Sequence, residues 1–319
     1  MAQIDIFNGD ADGICALTQL HNHEPRKSTL VTGVKRDIAL VSRAEARAGD
    51  QVTVLDVSFD KNRAGVEQVL AEGAEVFYVD HHFAGEVPEH PKLDTIIDTD
   101  PNVCTSLLIN GHLGGAYVEW ALTGAFGDNL KDTARAIAAP LGLSEKALEL
   151  LDTLGTCINY NGYGSSLDDL HFKPDELFRL VSPFPTPFSF VEEASDTFEA
   201  LRSGYEEDMA QAAAVAPTRE TEAAAVFILP NEPWARRVSG VYSNDLANQT
   251  PSRAHAVLTE RPDDTFLVSV RAPLKNKQGA DAICRQFPTG GGRAAAAGIN
   301  ALPTDRLDDF LDALESAYA

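Results

Sequence analysis

Basic residues are scarce in this chain. Lys and Arg together number 26 against 48 Asp and Glu, a formal net charge of -22 over 319 residues. A field of that sign repels polyphosphate backbones at long range and argues against a protein that grips long DNA or RNA. It leaves room for a small basic pocket around a short nucleotide, and acidity of this kind also serves plain solubility. Cysteine is rare as well: Cys15, Cys104, Cys157 and Cys284 stand far apart, and no Cys-x-x-Cys occurs. That spacing argues against a disulfide framework or a thiolate zinc site and fits reduced, buried thiols in a cytoplasmic protein. No apolar run approaches the roughly 18 residues of a membrane span. The first residues pass almost at once into a strand-like run, so neither a membrane partner nor a cleaved leader is expected. The chain does have a 44% hydrophobic content, enough for ordinary globular cores, and a length that favours two domains.

The order of patterns is α/β. Short apolar runs at Ile4–Phe7, Thr29–Thr32, Val52–Asp56, Val76–Asp80 and Thr95–Asp98 read as strands. Helical spacing appears between them at Gly13–Asn22, Lys61–Glu72 and Thr105–Asn110. This alternation predicts a mostly parallel sheet with helices on both faces. Residues from Leu130 to Leu180 read as largely helical, until Pro183, Pro185 and Pro187 interrupt. An acidic helix over about Phe190 to Ala216 follows. Strands at Ala224–Leu229 and Thr265–Val270, helices at Gly240–Asn248 and Ala280–Phe287, and a closing helix Asp305–Tyr318 then form a second pattern. The expected division is a larger domain over 1–185, a helical linker over 186–222 and a smaller α/β domain over 223–319.

The strand ends carry the chemistry. Asn8-Gly9-Asp10-Ala11-Asp12-Gly13 follows the first run, Asp56 ends the third, and Asp80-His81-His82 ends the fourth. Asp128 comes later, in Gly127-Asp128-Asn129. In an open α/β sheet the carboxyl ends of strands line the ligand crevice. Carboxylate oxygens with imidazole nitrogen suit divalent metals. Asp10 and Asp12, one residue apart, can point to two ions, with Asp56 bridging them. Two ions roughly 3.5–4 Å apart activate a shared hydroxide for attack on phosphorus. Each residue alone has a simpler reading: Asp10 and Asp12 as a turn or helix cap, Asp56 as an N-cap, His81-His82 as a polar loop and Asp128 as a turn aspartate. Their joint occurrence at successive strand ends favours the metal centre. Gly290-Gly291-Gly292-Arg293 reads as a glycine loop whose backbone N–H groups approach a phosphate, with a helix start after it. Arg271 ends a strand in the same half and has an ordinary surface ion pair as its alternative. Thr105 and Ser106 open a helix, and their hydroxyls read as capping groups in preference to phosphate contacts. The Asn159–Gly164 segment reads as a polar aromatic loop that either stacks a base or packs locally.

In order, Asn8–Gly13, Asp56, Asp80-His81-His82 and Gly127-Asp128 resemble the four motifs of the DHH phosphoesterases. Val268–Arg271, Gly290–Gly292 and Ala296-Ala297-Gly298 resemble the C-terminal domain that usually accompanies them. The resemblance spans nearly the whole chain. It implies a parallel-sheet DHH domain, a smaller α/β domain and an active site in the cleft between them. It also implies metal-dependent hydrolysis of phosphoesters with manganese, two ions being expected and magnesium or cobalt as substitutes. Asp10 then corresponds to a ligand of the first ion, Asp12, His81 and Asp128 to ligands of the second, and Asp56 to the bridge. His82 would face the substrate phosphate, and Asp80 would orient an imidazole. There are two departures. Ile6 stands where the family usually has a histidine, and Arg293 stands where the glycine motif usually continues with histidine. Arginine forks onto phosphate and is always charged.

The function expected is a phosphodiesterase that hydrolyses short linear or cyclic dinucleotides to mononucleotides, a nanoRNase-like activity. Asp56, His82 and Asp80 would serve the chemistry, and Arg271, Gly290, Gly291, Gly292 and Arg293 would hold substrate. The alternatives are a phosphatase on 3′-phosphoadenosine 5′-phosphate, a single-strand exonuclease, or a weakly active nucleotide sensor. The family resemblance also allows a homodimer.

Overall fold

The computed structural model describes residues 1–318; Ala319, the end of the expected 223–319 domain, lies outside the described residues. The chain divides into two units, Met1–Tyr205 and Glu206–Ala319. The division falls inside a helix within the segment 186–222.

In the first unit, β1 (Gln3–Phe7), β2 (Thr29–Val31), β3 (Gln51–Leu55), β4 (Glu75–Asp80) and β5 (Leu93–Ile97) form an all-parallel sheet of order β2-β1-β3-β4-β5. The apolar runs form strands because both of their faces are covered. Ile4, Ile6, Val52, Val54, Val76 and Tyr78 pack on one side with Phe59, Val66, Val69 and Leu70 of α2 (Phe59–Ala71). Phe7, Leu55 and Val79 pack on the other with Ile14 and Leu17 of α1 (Ala11–His23). The register sets Phe7 beside Leu55 and Leu55 beside Val79. Whatever follows these three residues therefore meets at one edge of the sheet.

Helices α3 (Thr105–His112), α4 (Val118–Gly127), α5 (Lys131–Ala138), α6 (Glu145–Asn161) and α7 (Pro174–Val181) complete most of this unit. Two glycines set how closely they approach. A Cβ on Gly127 would lie 2.4 Å from Ala11 Cβ and 2.7 Å from the Gly155 carbonyl oxygen. A Cβ on Gly155 would lie 2.2 Å from the Thr123 carbonyl oxygen. Without side chains at these points α4 ends against the start of α1, which places Asp128 beside Asp10 and Asp12.

The expected single helix over about 190–216 is two, α8 (Pro187–Glu193) and α9 (Ser195–Ala213), with a break at Ala194. Helix α8 starts early because Thr186 and Ser189 form a capping box and Pro187 takes the first turn.

The second unit holds β6 (Arg219–Glu220), β7 (Ala224–Leu229), α10 (Pro233–Gln249), β8 (Ala254–Glu260), β9 (Thr265–Arg271), α11 (Ala280–Cys284), β10 (Gly290–Arg293), β11 (Ala296–Pro303) and α12 (Leu307–Tyr318). Its sheet runs β10-β11-β9-β8-β7-β6. Only β7 and β8 pair in parallel. The glycine run is therefore corrected: it is not a loop ahead of a helix but a strand, hairpinned onto β11 with Gly291 opposite Gly298 and Arg293 opposite Ala296. A Cβ on Gly292 would lie 2.5 Å from Ala297 Cα, and its φ of +138° is one that only glycine adopts freely. Strand packing thus accounts for this glycine without a ligand. The architecture is α/β, a parallel-sheet unit followed by helices and a second α/β unit. Among the described residues no helix is long and apolar enough to cross a membrane, and all four cysteines are buried and unbridged.

Candidate metal centre

The sheet edge brings Asp10, Asp12, Asp56, His81 and Asp128 into one cluster. Asp12 sits in the first turn of α1, nearly fully buried, and both of its oxygens accept hydrogen bonds at 2.7 Å, from the Thr105 and Ser106 backbone N–H groups. The capping role expected of the Thr105 and Ser106 hydroxyls is thus reversed. The amides opening α3 hold a carboxylate from another helix, and the positive end of α3 favours its charge. Sequence reasoning missed this because the partners lie more than ninety positions apart.

His81 Nδ1 lies 2.9 Å from the Val103 carbonyl oxygen. A carbonyl can only accept, so Nδ1 of the neutral ring carries the hydrogen and the Nε2 lone pair is left for a ligand. Nε2 lies 3.4 Å from Asp56, 3.8 Å from Asp128 and 3.9 Å from Asp12. One oxygen each of Asp12 and Asp128 together with a His81 nitrogen converge, and so do Asp56, His81 and His82. His82 directs Nδ1 to Asp80 at 2.7 Å. That hydrogen bond raises the His82 pKa against the opposing effect of burial. Asp80 is fully buried while the His82 side chain is nearly half exposed, so Asp80 fixes a ring whose other edge is open to a ligand.

Asp56 is the strained member. It follows β3 with φ +59°, a left-handed conformation uncommon outside glycine, asparagine and aspartate. Burial pushes its carboxyl well above the usual range, and repulsion from Asp10, Asp12 and Asp128 adds to this. Asp128 is raised to about 7, by burial first and then by Asp12 and Asp10. A buried set of mutually repelling carboxylates, joined by an imidazole lone pair, fits a divalent cation in donor type and in charge.

The sequence reading also missed Lys35, which lies in the loop after β2. Its Nζ is 2.6 Å from Asp10 Oδ2, 2.7 Å from Asn159 Oδ1 and 3.9 Å from Asp128 Oδ1. The Tyr163 ring lies beneath it at 5.7 Å. Asp10 in turn caps α1, accepting from the Asp12 and Gly13 N–H groups. Burial works against ionising Asp10, but Lys35, together with hydrogen bonds that include the Gly13 N–H, holds the carboxyl below its ordinary range. The Asn159–Gly164 segment is accordingly the end of α6 and its exit turn. Tyr160 is buried, its ring centroid 4.9 Å from that of Tyr205.

These shifts set a pH dependence. Unfolded carboxyls titrate near 4, while Asp128 and Asp56 in the metal-free fold keep their protons to higher pH. The folded state then binds more protons than the unfolded one, so metal-free stability falls as pH rises from about 4 to about 7. His82, with its raised pKa, tilts the curve the same way. Asp10, with its lowered pKa, contributes stability already in place above about pH 4. A divalent cation held by these carboxylates would replace those protons and remove the fall, with an affinity that rises with pH over the same window. Melting curves in EDTA and in manganese check this; a metal-free melting point that stays flat or climbs through the window contradicts it.

In the second unit, Arg271 and Arg293 share one row of the sheet, each opposite Ala296 on neighbouring strands. They therefore project from the same face, roughly 10 Å apart. Arg271 donates to Asn244 Oδ1 at 2.6 Å and to Ser269 Oγ at 3.1 Å, while Arg293 is exposed. Gly290 and Gly291 are partly covered, and Gly292 is exposed.

No protein-family profile matches the sequence, and a search of curated proteins finds no match. Solved structures do match. A manganese-bound exonuclease RecJ superposes with a TM-score of 0.65 at 18% identity, over 98% of this chain and 89% of its own. RecJ of Thermus thermophilus with manganese gives 0.63 at 18% identity, and this chain spans 51% of its length. PggH, a pGpG-specific phosphodiesterase of Vibrio cholerae, gives 0.58 at 13% identity, over 99% of this chain and 98% of its own. The chain therefore has the fold of RecJ and PggH along nearly its whole length.

Proposed function

We propose that this chain is a metal-dependent phosphodiesterase of the DHH type that hydrolyses short linear or cyclic dinucleotides to mononucleotides. One observation carries this reading: Asp12, Asp128 and His81 converge at the carboxyl edge of a parallel sheet, and Asp56, His81 and His82 converge beside them. These residues would hold the metal, for which manganese is the proposed choice. When bound, such an ion supplies Lewis-acid polarisation of phosphate and lowers the pKa of water.

The chain's own groups do the rest. The α3 amides hold Asp12 in place, and the Val103 carbonyl oxygen fixes the His81 tautomer. His82, kept protonated to higher pH by Asp80, donates to a phosphate oxygen as charge builds on it. Arg271 and Arg293 offer guanidinium groups on one sheet face for a terminal phosphate. A net charge of -22 favours a substrate of one or two nucleotides over a long strand. End-to-end likeness to a phosphodiesterase named for a dinucleotide supports the same choice.

The test is product analysis with excess manganese on a matched panel. The panel holds a linear dinucleotide, its cyclic form, 3′-phosphoadenosine 5′-phosphate and a long single-stranded oligonucleotide. Mononucleotides released preferentially from a dinucleotide are expected. Degradation of the long strand instead moves the chain to exonuclease activity, and hydrolysis of nothing on the panel removes the enzyme reading.

A further inference from the structure

Taking the cluster as a phosphodiesterase's metal site, as proposed above, we infer that Lys35 is its fixed second cation: the ammonium occupies the Asp10 side of the centre, which then takes a single divalent ion. Two ions need two full sets of donors. The two convergent groups, Asp12 with His81 and Asp128, and Asp56 with His81 and His82, share the single His81 Nε2 lone pair, because Nδ1 bonds the Val103 carbonyl oxygen, and Asp10 belongs to neither group. Its oxygens are already engaged, Oδ1 by the Asp12 and Gly13 N–H groups and Oδ2 by Lys35 Nζ at 2.6 Å. Ile6, four residues before Asp10, is apolar and fully buried in the core cluster with Leu40, Val54 and Val57, so it adds no ligand.

The lysine is built in at both ends. Its backbone N–H donates to the Gly162 carbonyl oxygen at 2.8 Å, and its own carbonyl oxygen accepts from the Asn8 side chain. Its ammonium has oxygens of Asp10, Asn159 and Asp128 around it and an aromatic face below. An oxygen cage around a cation is what an ion site provides, and here the chain supplies the cation itself. An ammonium carried by the chain needs no loading, and it repels a second dication.

Counting manganese tests this without any substrate. Paramagnetic resonance titration of the wild-type chain should show one bound ion with the spectrum of an isolated centre. Lys35→Met should take up a second ion, with the spin coupling of a pair, while Lys35→Arg should stay at one. Two coupled ions in the wild type overturn the inference, since the lysine then yields to metal. One ion in both the wild type and Lys35→Met overturns it too, since something else excludes the second. No bound ion in the wild type leaves the inference without its centre and removes the metal reading along with it. The wild-type count stands even if Lys35→Met folds poorly.

Discussion

Asp56→Asn is expected to give a chain that hydrolyses its nucleotide on the order of 10³-fold more slowly, yet is more stable than wild type in the absence of metal. Asparagine accepts the left-handed backbone at φ +59° as readily as aspartate, so the turn after β3 is undisturbed. What disappears is a buried acid in conflict with Asp10, Asp12 and Asp128. Relief of such conflict at functional sites commonly gains about 0.5–2 kcal/mol. Urea denaturation in EDTA and hydrolysis of whichever phosphoester the wild type cleaves in the substrate panel check the two halves separately. Full hydrolysis by the variant removes Asp56 from the chemistry, and lower metal-free stability shows that the carboxylates are not in conflict.

Asp12→Ala should shift stability in the opposite direction, although it removes the same charge from the same cluster. Two buried N–H groups, of Thr105 and Ser106, lose the carboxylate that accepts from them. Orphaned buried donors cost roughly 1–3 kcal/mol each, about 2–6 kcal/mol for the pair, and relief of repulsion offsets only part of it. Manganese affinity falls as well, because Asp12 is one of the converging donors. The contrast is diagnostic. Asp56 has a hydroxyl contact, Thr105 Oγ1 at 3.4 Å, where Asp12 has two amides at 2.7 Å. Melting in EDTA alone decides the matter: an Asp12→Ala chain as stable as wild type means that the helix start of α3 satisfies its amides some other way.

Residues that follow apolar runs were legible in the sequence. Asp10, Asp12, Asp56, Asp80, His81 and Asp128 each sit at or just beyond the end of an element whose own pattern is strong, and parallel register aligns the strand ends. The partners that set their chemistry were not legible. Lys35 lies in Gly33-Val34-Lys35-Arg36, which reads as a charged surface loop, and its three oxygens come from Asp10, Asp128 and Asn159. Val103 acts through a carbonyl, which no side-chain motif marks. Strand β8 escaped notice because a short apolar run buried on both faces has no alternation to announce it. The glycine run reads as a loop for a related reason: its strand character comes from pairing with Ala296–Ile299, and nothing in three glycines encodes that.

That run has a second consequence. Strand β10 is the last in its sheet, and a terminal strand is a template onto which another molecule can zip its own backbone. Here the template is four residues long, three of them without side chains to grip an incoming strand. At Gly292 the backbone leaves the conformation that a continued ladder needs. The glycine run therefore leaves this sheet edge short and poor in side chains, which gives another strand little to pair with.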